Sequence, residues 1–187
     1  MNYVVFDLET NWIGSFRPPT QTITQLAFIK FDENGTDIKQ YCKILKGATD
    51  IIKHPSITIS LDQIRNNGIE PMVAINEFIN SIDDNTILCS HNFEFDSGLI
   101  KNAIKNTELS FPNNRHICTM KSSTNYCKLP KKGLSAHYPG YKYPSLEELA
   151  NKLNISSEKG KFHDALYDCT ITKQCIHEGL NLGIFNL

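Results

Sequence analysis

The sequence lacks the patterns that identify several broad classes of protein. It has no long apolar run, no internal repeat and no low-complexity segment. Its six cysteines are scattered without a C-x-x-C pair, which is typical of free thiols in a reducing compartment rather than of a zinc site or disulfide framework. These absences argue against a membrane-spanning protein, a collagen, a coiled coil and a small disulfide-stabilised scaffold.

The start of the chain shows no targeting pattern. The apolar stretch at residues 3–6 ends at Asp7, and neither a basic segment nor a small-residue cleavage site accompanies it. We therefore predict a cytoplasmic protein that does not associate with membranes.

The chain also lacks a strong excess of charge of either sign. Its 19 Lys and Arg residues face 20 Asp and Glu residues, which gives a net charge of −1 at pH 7. Taken alone, this balance argues against a histone-like nucleic-acid binder. The charge is nevertheless uneven, because residues 115–143 contain six basic residues and no acidic residue, which leaves −7 for the rest of the chain.

What is present is the composition of an ordinary globular protein. Of the 187 residues, 40% are hydrophobic and 21% are charged. A chain of this length buries enough surface to form one good core. We therefore predict that residues 1–187 form a single domain.

Strand-like apolar segments and segments of helical periodicity follow one another along the chain. The sequence pattern predicts strands at 2–8, 22–31, 37–45, 86–89 and 116–118. Helical spacing predicts helices at 70–82, 95–105, 146–153 and 164–179, with a further helix after residue 118. A hairpin followed by alternating helices and strands indicates an α/β protein with a mixed five-stranded sheet flanked by helices.

Four acidic residues and a histidine lie at predicted strand ends and helix starts. Asp7 and Glu9 lie two residues apart in the first strand, so their carboxylates point to the same face. Asp96 opens a helix after a buried strand, and His163 and Asp168 flank the start of the last helix. Each has a plain structural explanation when taken singly: a solvated strand-end acid, a helix N-terminal acid or a surface histidine.

Together, these five residues indicate a metal site. Binding sites of α/β sheets lie at the carboxyl edge of the strands, where all five can meet. Carboxylates gathered there would repel one another unless a cation lay between them. Hard oxygen ligands in this number suit Mg²⁺ or Mn²⁺ rather than zinc.

Three segments resemble the exonuclease motifs of the DnaQ-like, DEDDh family of 3′→5′ exonucleases. In chain order they are Asp7-Leu8-Glu9-Thr10, Asn92-x-x-x-Asp96 and His163-Asp164-Ala165-x-x-Asp168. Residues 117–121, 140–143 and 165–169 are similar to the exodeoxyribonuclease X branch of that family. The resemblance covers nearly the whole chain, and it implies an RNase H-like fold.

The resemblance also implies hydrolysis of the terminal phosphodiester with two Mg²⁺ or Mn²⁺ ions. Asp7 would bridge both ions, and Glu9 and Asp168 would complete the shell of one of them. Asp96 would act partly through coordinated water, and His163 would take the proton from the nucleophilic water. These five are the predicted catalytic residues, and the four acids among them are the predicted metal ligands.

A further set of residues is predicted to bind the substrate. Trp12 suits stacking on a base, with a partly buried loop anchor as the alternative. The lysines and tyrosines of residues 115–143 suit a single-strand track, with an ordinary solvated loop as the alternative. The predicted substrate-binding residues are Leu8, Thr10, Trp12, His91, Asn92, Lys121, Lys131 and Lys132.

Two positions depart from the pattern of the family. Asn11 and Trp12 follow the first motif where the family usually has a Gly, and Gln25 stands where many relatives have Glu. Neither change removes a predicted metal ligand. Both leave the substrate preference open, because these positions lie beside the terminal nucleotide in relatives.

The leading prediction is therefore a metal-dependent 3′→5′ exonuclease that acts on single-stranded or frayed DNA ends. A 3′→5′ exoribonuclease for short RNA is the alternative, since both sugars fit the same kind of metal centre. A polymerase-associated proofreading module is a weaker alternative, because few residues follow the last predicted helix. The presence of all five predicted catalytic residues argues against an inactive nucleic-acid binder. Nucleic acid is the predicted partner, DNA ahead of RNA, with monomer and homodimer both open.

Overall fold

The computed structural model describes residues 1–12 and 21–185. The strands are β1 (Asn2–Thr10), β2 (Ile23–Asp32), β3 (Asp37–Ile44), β4 (Thr86–Ser90) and β5 (His116–Cys118). The helices are α1 (Leu61–Asn67), α2 (Pro71–Asn80), α3 (Phe93–Ile104), α4 (Thr119–Ser122), α5 (Thr124–Cys127), α6 (Leu146–Lys152) and α7 (Ala165–Asn181), with a 3-10 helix at Gly133–His137. Within the described residues, no helix has the length and apolarity that crossing a membrane requires.

The five strands form one mixed sheet in the order β3-β2-β1-β4-β5. The pairs β1–β2 and β2–β3 are antiparallel, whereas β1, β4 and β5 run parallel to one another. This architecture confirms the predicted α/β class and the mixed five-stranded sheet flanked by helices. Because parallel strands point the same way, the carboxyl ends of β1, β4 and β5 lie at a common edge of the sheet.

Alternate side chains of β1 point to opposite faces of the sheet and contribute to two hydrophobic cores. Val4, Phe6 and Leu8 pack against α2 and α3 on one face of the sheet. Tyr3 and Val5 pack on the other face, where residues of α7 cover them. Asp7 and Glu9 continue this second series, so the strand directs both acids to the side on which α7 lies.

Two short helical elements are not predicted by the sequence pattern. Helix α1 buries a single side chain, that of Ile64, so no apolar periodicity marks it. Its start is nevertheless a capping box, in which Ser60 and Gln63 exchange hydrogen bonds between side chain and main chain. The 3-10 helix lies in the lysine-rich segment, where apolar spacing is also weak. The predicted elements are present, β5 with its predicted bounds and the others with shifted ends.

Candidate active site

The five predicted catalytic residues converge at the carboxyl edge of the parallel strands. The end of β1 carries Asp7 and Glu9, while Asp96 lies in the first turn of α3, which directly follows β4. Asp168 lies in the first turn of α7, and His163 precedes that helix. All five line one cleft with a volume of ≈ 390 Å³.

The position of Asp96 follows from the different lengths of β1 and β4. Their parallel pairing ends at Val5 and Cys89, so the last residues of β1 extend beyond β4. The carboxylate of Asp96 accepts hydrogen bonds from the backbone N–H of Leu8 and from the hydroxyl of Ser90. Asp96 is only 3% exposed, so these bonds fix it against the end of β1.

Asp168 and His163 are tied together at the start of α7. The backbone N–H of His163 donates to Oδ2 of Asp168 at 3.1 Å. The potential ligand atoms of Glu9, His163 and Asp168 all lie within 4.8 Å of one another. Oδ1 of Asp168 is buried and has no hydrogen-bond partner among the described residues, so this oxygen is available as a ligand.

The clustered carboxylates have raised pKa values. Burial, followed by repulsion from Asp96 and Asp168, raises the pKa of Asp7 well above its ordinary range. Burial and the neighbouring acids raise the pKa of Glu9 to about 8. Burial is also the main cause that raises the pKa values of Asp96 and Asp168 to about 7. Without a cation, the cluster therefore retains protons near neutral pH.

This donor set fits divalent cations of the Mg²⁺ or Mn²⁺ type. Four carboxylates supply hard oxygen ligands, and no cysteine is among the described residues that line the cleft. A buried polar atom without a partner is uncommon in proteins. Coordination of a cation would supply the partner that Oδ1 of Asp168 lacks.

Five of the predicted substrate-binding residues also lie at the cleft. They are Leu8, Thr10, Trp12, His91 and Asn92. The hydroxyl of Thr10 donates to the backbone carbonyl of Trp12 at 2.6 Å, which fixes the turn after β1. The side chain of Leu8 packs in the core, and its backbone N–H donates to Asp96.

His91 contributes to the wall of the cleft through its hydrogen bonds. Its Nε2 lies 3.0 Å from the carbonyl of Pro144, and its Nδ1 lies 2.9 Å from the hydroxyl of Thr119. Because a carbonyl can only accept, Nε2 carries the proton. Burial lowers the pKa of His91 to about 4, so its ring is neutral and both nitrogens are engaged by the protein.

The three predicted lysines lie outside the cleft, on an adjoining surface. Lys121 follows the cleft residue Met120 and forms an ion pair with Glu94. Lys131 donates to the carbonyl of Pro139 at 2.6 Å, and Lys132 is exposed. Four exposed tyrosines belong to residues 115–143, three of them at positions 138–143. We call this set the lysine–tyrosine surface: Lys121, Lys131, Lys132, Tyr138, Tyr141 and Tyr143.

Gln25 is not among the residues that line the cleft, and its carboxamide binds the start of α7. Its Oε1 accepts from the backbone N–H of Ala165 at 3.0 Å, and its Nε2 donates to Asp164 Oδ2 at 3.2 Å. Asp164 is the N-cap of α7 and accepts from the backbone N–H of Tyr167. Gln25 therefore supports the helix that carries Asp168.

Three further residues that the sequence analysis did not name take part in the site. Ser90 bonds Asp96, Ser56 lines the cleft, and the hydroxyl of Thr58 donates to the carbonyl of His163 at 2.8 Å. Ser90 is detectable by its place at the end of a predicted strand. Nothing marks Ser56 or Thr58, because their segment meets His163 from a distant part of the chain.

Comparison with known proteins identifies one family model. The model described as Exonuclease, of the RNase T type, matches residues 4–175. No curated protein matches the chain.

Solved structures of several nucleases share the fold. Cell-death related nuclease 4 (CRN-4) matches with a TM-score of 0.73 and 14% identity, over 97% of this chain and 64% of that protein. E. coli exonuclease I in complex with a dA16 oligonucleotide matches with a TM-score of 0.72 and 18% identity, over 96% of this chain and 41% of that protein. A full-length 3′-exonuclease matches with a TM-score of 0.72 and 16% identity, over 98% of this chain and 83% of that protein.

The chain thus spans less than two thirds of CRN-4 and of E. coli exonuclease I. At these identities the likeness shows the fold alone. It confirms the RNase H-like fold that the sequence motifs imply.

Proposed function

Because the chain belongs to the RNase T family of exonucleases, we propose that it is a metal-dependent 3′→5′ exonuclease of the DEDDh type. One observation carries the proposal: Asp7, Glu9, Asp96, Asp168 and His163 line a single cleft. Membership of the family supports a hydrolytic nuclease. The direction of hydrolysis, the sugar and the metal are parts of the proposal.

The four carboxylates would hold the divalent ions, either Mg²⁺ or Mn²⁺. Asp7 would be a central ligand of this set, because the charges of Asp96, Asp168, Glu9 and Asp164 all act on it. Bound cations would neutralise the charge of the phosphodiester and lower the pKa of water. The carboxylates, which retain protons near neutral pH without a cation, would release them on binding.

His163 is the proposed general base. It lies at the exposed rim of the cleft, and partial burial together with the charge of His54 lowers its pKa. The ring is therefore neutral at pH 7 and can accept a proton beside the carboxylates of Glu9 and Asp168. His91 also lines the cleft, but its two ring nitrogens are bonded to protein groups.

We propose single-stranded or frayed 3′ ends of DNA as the substrate. E. coli exonuclease I, which shares the fold, has been solved with a dA16 oligonucleotide bound, and the resemblance to exodeoxyribonuclease X favours the same sugar. The lysine–tyrosine surface adjoins the cleft, because Met120 and Pro144 line the cleft beside Lys121 and Tyr143. Lysines there would bind phosphates, and exposed rings would stack on bases.

The test compares oligonucleotides of one sequence as DNA and as RNA, labelled at either end. With Mg²⁺ or Mn²⁺, 5′-labelled DNA should give a ladder of shortened strands, whereas 3′-labelled DNA should release labelled mononucleotide first. EDTA should stop both reactions. Faster shortening of RNA would reassign the substrate to the alternative, and a failure to shorten either strand with either metal would overturn the proposal.

A further inference from the structure

The backbone of His163 is held in an unfavourable conformation. Its φ is 71°, in the left-handed region that residues with a Cβ rarely adopt. Such a conformation persists only where surrounding contacts impose it. Both polar main-chain atoms of His163 are bonded: its N–H donates to Asp168 Oδ2 at 3.1 Å, and its carbonyl accepts from Thr58 Oγ1 at 2.8 Å.

The two bonds reach His163 from different parts of the chain. Asp168 holds the N–H from the first turn of α7, five residues further along the chain. Thr58 holds the carbonyl from a segment that is 105 residues away in sequence. The second bond therefore links the site to a separate part of the fold.

Thr58 itself rests on a fixed support. The next residue, Ile59, is only 6% exposed, and Ser60 begins α1 with a capping box. Thr58 is exposed, so its hydroxyl does not contribute to a core. Its specific contact is the carbonyl of His163, which gives the short helix α1 a part in building the site.

We propose that Thr58 is a positioning residue, whose hydroxyl holds the backbone of His163 so that the ring reaches the carboxylate cluster. The inference rests on the proposed function, because it takes His163 as the general base. If this hydrogen bond served stability alone, its loss would lower the melting temperature of the protein. If the bond positions His163, its loss should instead lower kcat and leave KM and stability unchanged.

The test uses two substitutions at Thr58 and one matched control. Thr58→Val removes the hydroxyl and keeps the shape, whereas Thr58→Ser keeps the hydroxyl. The control is Thr107→Val, at an exposed turn after α3. It also removes a threonine hydroxyl that donates to a backbone carbonyl at 2.8 Å. We expect Thr58→Val to lower kcat about tenfold, which is less than the 10²–10⁴ contributed by a general base. KM and Tm should match the wild type, and Thr58→Ser and Thr107→Val should retain kcat.

A double-mutant cycle separates an effect through His163 from an independent effect. In the His163→Ala background, Thr58→Val should cause no further loss of kcat, because no ring remains to be positioned. An additive loss in the double variant would overturn the inference. So would a wild-type kcat in Thr58→Val.

Failure of the proposed function would give a different result, in which the wild type shortens no oligonucleotide. The inference is then decided by NMR on the protein in EDTA. The amide and Cα shifts of His163 should move in Thr58→Val and remain as in the wild type in Thr58→Ser and Thr107→Val. Unchanged His163 shifts in Thr58→Val would overturn the inference whatever the activity.

Discussion

Asp168 shows how a single carboxylate joins the structure of the site to its chemistry. One oxygen accepts the backbone N–H of His163, and the other is buried without a partner among the described residues. The side chain is 8% exposed, and burial raises its pKa to about 7. Such an arrangement is unfavourable for the metal-free fold, and it becomes favourable when a cation binds.

At the scale of residues, the first prediction is that the metal-free protein loses stability as the pH rises from 6.5 to 8. The folded-state pKa values of Glu9, Asp96 and Asp168 are about 8, 7 and 7, whereas free carboxyl groups titrate near about 4. The folded state therefore binds more protons than the unfolded state over this range, and stability falls as those protons leave. His91, whose pKa is lowered to about 4, acts in the opposite sense, mainly below pH 6.5.

The measurement is thermal unfolding in EDTA at pH values between 6.5 and 8. We expect the Tm of the wild type to fall by several degrees and Mg²⁺ to restore it. Asp7→Asn removes one of the groups that bind a proton more tightly in the folded state, so its Tm should depend less on pH. Asp84→Asn, at an exposed position before β4, should behave as the wild type. A wild-type Tm that rises over this range would contradict the prediction.

The sequence predicts the proposed metal ligands, but it does not predict every residue that holds the site in place. Asp7, Glu9, Asp96 and Asp168 can be predicted, because metal chemistry requires acids at particular strand ends and helix starts. The site assignment itself stays a prediction until it is tested by substitution. Thr58 could not be predicted, because its partner is a main-chain carbonyl 105 residues away, and main-chain partners leave no residue signal.

At the scale of elements, the start of α7 depends on β2 through Gln25. The carboxamide accepts from the first N–H of the helix and donates to its N-cap, Asp164. A carboxamide can do both, whereas a carboxylate at this position would face the carboxylate of Asp164. The strand thus fixes the turn of α7 that presents Asp168.

We therefore predict that Gln25→Met destabilises the protein and weakens its binding of divalent ions. Leaving the buried N–H of Ala165 unpaired should cost about 1–3 kcal/mol, and a looser first turn would displace Asp168. Urea unfolding in EDTA measures the first effect, and a Mg²⁺ titration followed by calorimetry measures the second. Gln174→Met, on the exposed side of α7, is the matched control. Equal stability and Mg²⁺ affinity in the two variants would refute the prediction.

Elements with a long apolar face can be predicted from the sequence, and short elements cannot. Helix α7 packs on the sheet through Cys169 and Ile176, and this spacing is visible in the sequence. Helix α1 is stabilised by its cap and buries only Ile64, so periodicity does not detect it. The helix expected after residue 118 is divided into α4 and α5 by Ser123.

At the scale of the whole molecule, the near-zero net charge conceals a separation of charge. Four acidic residues gather at the cleft, whereas residues 115–143 carry six positive charges and no negative charge. Composition alone could not reveal this separation, since opposite charges cancel in the sum. The fold brings the basic segment beside the cleft, because the chain passes from Met120 to Pro144, which both line it.

We predict that Lys131→Gln together with Lys132→Gln weakens the binding of single-stranded DNA and makes it less dependent on salt. Each lost phosphate contact should reduce the slope of log affinity against log salt by about 0.7, so the pair should reduce it by up to about 1.4. Fluorescence anisotropy in EDTA measures binding without hydrolysis. Lys43→Gln with Lys105→Gln, at exposed positions on β3 and after α3, is the control pair. An unchanged salt slope would remove Lys131 and Lys132 from the substrate path.

The architecture of the sheet was the most predictable feature at this scale. The hairpin of β2 and β3 and the alternation of the later strands with helices predict a mixed sheet, which the strand order confirms. The supports of the site were not predictable. Contacts such as those of Gln25 with α7 depend on how the finished layers pack, and no local pattern encodes them.

The central claim is that the carboxylate cluster holds the divalent ions with which the protein shortens 3′ ends. The most direct measurement is the rate at which 5′-labelled single-stranded DNA is shortened in Mg²⁺ by the wild type, Asp7→Asn and Asp84→Asn. Asp7→Asn keeps the shape of the side chain and removes its charge, so we predict a loss of at least about a hundredfold. Asp84→Asn should retain the wild-type rate. Shortening by Asp7→Asn at the wild-type rate would contradict the account.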